Sequence, residues 1–137
     1  MNLPEDLKYS RSHEWIRIES SNVAVIGITD HAQEQLGDVV YLGFEDEEGL
    51  TVEEGTELVK GRQFGVVESS KTLSELYAPV GGAVLEVNHT LTNNLETIND
   101  DPYEDGWMIK IRFTDPSDLD DLMTAEEYKQ FIEEESH

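Results

Sequence analysis

The chain has 137 residues, with 31 acidic against 9 basic side chains, a formal charge of −22 and no cysteine. That length suits one domain with its own core, and the charge excludes nucleic-acid binding, which needs lysine and arginine to displace phosphate counterions. Without cysteine the polypeptide has no disulfide or thiolate, so any sulfur redox chemistry must arrive on a prosthetic group.

Met1 to Asp6 has no basic stretch followed by an apolar run, and no later segment reaches transmembrane length. The expectation is a cytoplasmic protein with no membrane role; a mature mitochondrial form would read the same way. Trp15-Ile16-Arg17-Ile18 and Val23-Ala24-Val25-Ile26-Gly27-Ile28 are β-branched runs joined through Glu19 to Asn22, which predicts a hairpin. Thr29 or Asp30 caps a short helix through Ala32, Gln33 and Leu36, which Gly37 ends. Val39 to Leu42 is a strand, and Glu45 to Gly49 is an acidic, solvated loop.

Leu58-Val59 and Phe64 to Val67 lead towards Lys71, and Leu76 to Val80 leads away. Between them, Glu68-Ser69-Ser70-Lys71-Thr72 reads as a hairpin tip with small hydroxyl residues and one cation at its apex. Glu68 and Glu75 flank the Lys71–Thr72 bond, and Gly61 and Gly82 mirror each other about it, so the turn is expected to centre there as a two-residue hairpin loop. A lysine presented this way can be found by a modifying enzyme, although a solitary turn lysine is ordinarily just a solvated side chain.

Gly81-Gly82 breaks the chain before a strand over Ala83 to Asn88. Trp107 to Phe113 alternates apolar and polar residues, as a half-buried strand does. Leu119, Leu122 and Met123 are spaced for one helix face, and Thr124 with Glu127 forms a capping box ahead of Tyr128, Phe131 and Ile132. Many short strands with glycine turns and a helical tail predict a mainly β protein, a compact β-sandwich with a few short peripheral helices.

His13, His31, His89 and His137 fall without metal-ligand spacing, so no metal site is expected. No phosphate loop or nucleophile–base motif is present. Glu68 and Glu75 could pair as acid and base, but a protruding turn offers no pocket to shift a pKa. The chain therefore reads as a non-enzymatic component.

Several segments together resemble the glycine cleavage system H proteins, the lipoyl carriers of that complex. They are Ser12-His13-Glu14-Trp15, Gly27-Ile28-Thr29-Asp30-His31-Ala32-Gln33, Leu36-Gly37-Asp38-Val39-Val40, Phe64 to Ser69 with Lys71, Tyr77 to Val80, Gly106 to Ile111, and Ala125 to Tyr128. They run in family order along almost the whole chain, which is far more specific than any one motif. The resemblance implies one lipoyl-carrier domain over residues 1–137, a flattened sandwich of the barrel-sandwich hybrid kind, with lipoic acid in amide linkage to Lys71. It implies Glu68, Ser69, Ser70 and Thr72 as the hairpin that presents the lysine, and Ser12, Glu14 and Glu75 as residues of a cleft that receives the loaded arm. Its implied partners are glycine decarboxylase, aminomethyltransferase, dihydrolipoyl dehydrogenase and a lipoyl ligase or transferase, served by a monomeric shuttle.

The chain departs from the family at Ser70, Thr72 and Leu73, which flank the lysine, at Gly81 and Leu95, and in a longer stretch from Gly43 to Gln63. The flanks leave room for an H-like lipoyl carrier of another pathway, such as sulfur oxidation or lipoyl relay, or for an unmodified docking paralogue. A biotin carrier would resemble Met-Lys-Met at the turn, and Ser70 and Thr72 stand in those places.

Overall fold

A computed structural model describes residues 1–135. Among these residues nine strands form two sheets. The larger has the order β1 (Lys8–Tyr9), β2 (Glu14–Ser20), β3 (Val23–Ile28), β9 (Ile109–Phe113), β8 (Gly82–Val87) and β5 (Glu57–Leu58). The smaller has β6 (Gln63–Ser69) between β4 (Val39–Gly43) and β7 (Leu73–Tyr77), and every pairing in both sheets is antiparallel. Three α-helices lie around them: α1 (Asp30–Leu36), α2 (Glu96–Asp100) and α3 (Ala125–Glu135).

The main core lies between the sheets, where Ile16, Ile26, Val84 and Ile111 of the larger face Leu42, Val67 and Leu76 of the smaller. Side chains alternate along a strand, so Trp15 points opposite to Ile16, into a second cluster with Tyr9, Tyr103 and Tyr128. Trp15 satisfies its indole N–H on the Pro102 carbonyl at 2.9 Å, and Tyr9 stacks on Tyr128 with ring centroids 4.7 Å apart. This second cluster binds α3 to β1–β3. Gly82, at φ 148, starts β8 so close to β9 that a Cβ there would stand 2.0 Å from the Arg112 carbonyl oxygen.

The predicted β2–β3 hairpin forms, with strands that run further and leave only Ser21 and Asn22 between the pairs. Thr29, not Asp30, caps α1: its side chain accepts from the Ala32 N–H, and Gly37 closes the helix at φ 76. The capping box of α3 is reciprocal, Glu127 accepting from the Thr124 N–H at 2.8 Å and Thr124 Oγ1 from the Glu127 N–H at 3.2 Å.

The predicted helix face of Leu119, Leu122 and Met123 is corrected. Only a single 3-10 turn forms, over Pro116–Leu119. The chain then extends, and Met123 exchanges two backbone hydrogen bonds with Tyr9, at 2.8 and 2.9 Å, covering the open edge of β1. The 3-10 turn His89–Asn93 and the short α2 were unanticipated, because neither carries an amphipathic period. No helix among the described residues is long and apolar enough to cross a membrane.

Candidate functional site: a lysine-tipped hairpin beside a cleft

Strands β6 and β7 pair Val67 with Ser74 and Glu68 with Leu73. That register puts the midpoint of the turn at the Ser70–Lys71 bond, one residue before the expected one. Glu68 and Glu75 are not mirror positions, since Glu75 lies opposite Val66. Gly61 gives its N–H to the Ala78 carbonyl while Gly82 belongs to the other sheet, so their sequence symmetry has no structural counterpart.

The turn also closes differently from a tight two-residue hairpin loop, which needs left-handed backbone at its centre. Among the described non-glycine residues only His13 has a positive φ. A side chain closes the turn instead. Ser69 Oγ accepts from the N–H groups of Lys71 and Thr72, at 3.2 and 3.3 Å, while the Ser69 N–H reaches the Thr72 carbonyl at 2.8 Å. Ser69→Ala should therefore cost about 1 kcal/mol by orphaning two N–H groups, seen as a lowered urea midpoint and faster amide exchange at Lys71 and Thr72.

Lys71 is exposed, and its ammonium makes no ion pair among the described residues. Its stem lies over Gly37, where a Cβ would meet Lys71 Cε at 3.1 Å. Gly37 also has φ 76 with ψ −155, a region open essentially only to glycine. Gly37→Ala should lose about 1–2 kcal/mol and displace the Lys71 stem, checked by thermal unfolding and by the NMR shifts of the Lys71 methylenes.

A cavity of about 330 Å³ lies between β7 and α1, with Thr72, Ser74 and Glu75 on one side and His31, Gln35 and Leu36 on the other. Ser12 and His13 also reach its wall. Of the expected cleft residues, Ser12 and Glu75 line it directly, and Glu14 does not. Glu14 is wholly buried beneath Ser12. Its Oε1 accepts from the hydroxyls of Ser10 and Ser12, at 2.7 and 2.5 Å, and its Oε2 accepts from the Tyr77 N–H at 3.2 Å. Burial pushes the Glu14 carboxyl up to about 7, and these hydrogen bonds pull partly against that rise. The group is thus balanced between acid and carboxylate near neutrality. Glu68, by contrast, stands exposed on the hairpin and away from the cavity wall.

His13 owes its place to a left-handed backbone, φ 73, pinned by its N–H on the Ser10 carbonyl and by the Thr29 N–H on its own carbonyl, both at 3.1 Å. This kink lets Ser12 and His13 reach the cavity wall while Glu14 turns into the interior. The His13 ring meets His31, Tyr128 and Glu135, residues remote in sequence. Burial lowers its pKa, opposed by the Glu135 carboxylate. Neither this cluster nor Ser10 stood out in the sequence; only the nearness of Ser10 to Ser12 gave any signal. His137 lies outside the described residues.

Two antiparallel sheets with a lysine at the tip of a serine-closed hairpin define a lipoyl-domain-like β-sandwich. Residues 7–135 match the family described as Glycine cleavage H-protein, and the chain belongs to that family. It is 54% identical over 135 residues to the glycine cleavage system H protein of Anaeromyxobacter sp. (strain K), covering 98% of this chain and 99% of that one. The counterpart from Synechococcus sp. (strain JA-3-3Ab) is 50% identical over 133 residues, covering 97% of each. The crystal structure of a glycine cleavage system H protein from Mycobacterium marinum superposes with a TM-score of 0.79 at 32% identity, covering 98% of this chain and 99% of that chain.

Proposed function

We propose that this chain is the lipoyl carrier of a glycine cleavage system, with lipoic acid in amide linkage to Lys71 Nζ and no catalytic role of its own. The observation that carries this reading is Lys71 itself: exposed, without an ion pair among the described residues, and set on a serine-closed turn whose next residue, Thr72, lines a cavity. When bound, the group supplies a dithiolane on a long arm that carries an aminomethyl unit between enzymes. Glycine decarboxylase, aminomethyltransferase and dihydrolipoyl dehydrogenase would be served in turn, after a lipoyl ligase or transferase has modified the lysine.

The chain's own residues suit that task. The Lys71 stem passes over Gly37 without obstruction, and the turn holds its base fixed, so the arm's reach is set by the arm alone. The cavity offers Ile28, Leu36, Val67 and Leu76 as apolar wall, with Ser12 and Glu75 as polar groups. A protonated amine is held there by the exposed Glu75 carboxylate and by the Ser12 hydroxyl oxygen, whose proton already points to Glu14. Glu14 is thus a positioning residue that acts through Ser12.

Intact-mass and peptide mass spectrometry on protein from its native cells tests the reading. It expects one lipoyl adduct, on Lys71. An unmodified Lys71 in cells that lipoylate other proteins would favour a docking paralogue instead. A lipoylated protein that supports no glycine–bicarbonate exchange with decarboxylase would move it to another pathway.

A further inference from the structure

His13, His31 and Glu135 come from three separate places: the loop before β2, the first turn of α1 and the end of α3. One ring nitrogen from each histidine and one carboxylate oxygen lie within 4.8 Å of one another. The set is two imidazoles and a carboxylate, donors of intermediate softness that suit zinc-class ions and not the hard, all-oxygen preference of Mg²⁺ or Ca²⁺.

One ligand is already held in place. His13 Nε2 points at Glu135 Oε1, 3.2 Å away, while its Nδ1 sits 2.7 Å from the Tyr128 hydroxyl. Tyr128 is anchored in turn on Thr29 Oγ1 at 2.8 Å. An outer partner on one ring nitrogen that leaves the other to face the cluster is the usual arrangement of a metal-binding histidine. The pinned left-handed backbone of His13 removes further freedom from the ring.

The other two ligands can close. His31 is half-buried on α1 and Glu135 is exposed on α3. Ligand atoms about 2.0–2.1 Å from a tetrahedral zinc stand about 3.4 Å apart, so no gap needs a contraction of more than about 1.4 Å, within the range of a side-chain rotation. All three residues line the cavity, so an ion held among them would stand at its wall, where a fourth ligand could reach it. Three protein ligands and one open position is the pattern of a reactive zinc site, not a structural one.

We propose that His13, His31 and Glu135 form a binding site for a divalent transition ion of the zinc class on the wall of the Lys71 cavity. The site requires no modification of Lys71, so it stands or falls separately from the carrier reading.

The test is a Zn²⁺ titration of the untagged full chain, unmodified at Lys71, with excess Mg²⁺ present to occupy the acidic surface. One saturable equivalent is expected. His31→Ala and Glu135→Ala should each weaken it by about tenfold or more, and His137→Ala should leave it unchanged. Cobalt substitution should give a visible ligand-field spectrum, and the imidazole nitrogens of His13 and His31 should shift in the NMR spectrum. Far-ultraviolet circular dichroism checks that the variants fold; their exposed and half-buried positions make folding the expected outcome, and His31→Gln serves as a second variant. The proposal is overturned if zinc binds without saturation, if both alanine variants bind as the parent does, or if His137→Ala abolishes the binding.

Discussion

Lys71→Arg should abolish carrier turnover completely while leaving stability within about 0.5 kcal/mol of the parent. The side chain is exposed, makes no ion pair among the described residues and sits on a turn closed by Ser69, so the fold does not depend on it. Arginine keeps the positive charge and much of the stem but has no amine that can form the amide. The variant therefore separates charge at the hairpin tip from the capacity to be modified. The check has two parts: intact mass after exposure to a lipoyl-attaching enzyme, and glycine–bicarbonate exchange with the decarboxylase. An arginine variant that still supports exchange would remove Lys71 from the mechanism. A variant that loses exchange and also unfolds at lower urea would mean that the tip has a structural task not visible in its contacts.

The second large effect belongs to Glu14. In the unfolded chain its carboxyl titrates near 4.5, and in the folded protein burial holds it at about 7. Below the lower value both states are protonated, and the fold has its full stability. As pH rises through the window between the two, the unfolded state ionises first and gains. Above about 7 the loss is complete, on the order of 3 kcal/mol. Glu14→Gln removes that titration. Its amide can donate to the Ser10 and Ser12 hydroxyls and accept from the Tyr77 N–H, the same partners the carboxyl has now. Relative to the parent, the variant should gain about 3 kcal/mol between pH 4.5 and pH 8, measured as the change in urea midpoints at the two pH values. The difference between the two proteins cancels the titration of the other acidic groups. Parallel pH profiles would show that water or rearrangement relieves the buried charge. Loss of function at neutral pH in a more stable Gln variant would mark the carboxylate as a working group.

How far the sequence could be read depended on the range of the interaction. Local patterns were legible: the β-branched runs, the Thr124–Glu127 box, the Gly37 stop, and a hairpin tip at Lys71 (its centre misplaced by one residue). That slip has a physical cause. Spacing of acids and glycines suggested a symmetry, but the pairing is set by which face of β6 reaches the core, and Val67 and Leu76 decide it. The Leu119–Met123 helix failed for a related reason: an open strand edge at Tyr9 captured Met123 by backbone pairing. Glu14 was expected on the wall of the cleft. It is buried because Ser10, Ser12 and the Tyr77 N–H supply its hydrogen bonds, and Tyr77 is far away in sequence. The His13, His31 and Glu135 grouping depends on α3 docking through the stack of its Tyr128 on Tyr9, which no local spacing encodes.

The serine-closed turn bears on how Lys71 could be told apart from the other lysines of this chain. The words around it, Ser70 and Thr72, are unremarkable small hydroxyl residues. What is distinctive is a contour: Ser69 folded inward, two N–H groups turned from solvent, and a stem resting on the glycine of a different element. A free peptide of residues 64–77 has the letters without the contour, since a lone hairpin hardly persists in water. An enzyme that selects this lysine by its contour can tolerate drift in the spelling, and the address survives for as long as the two sheets stay folded together.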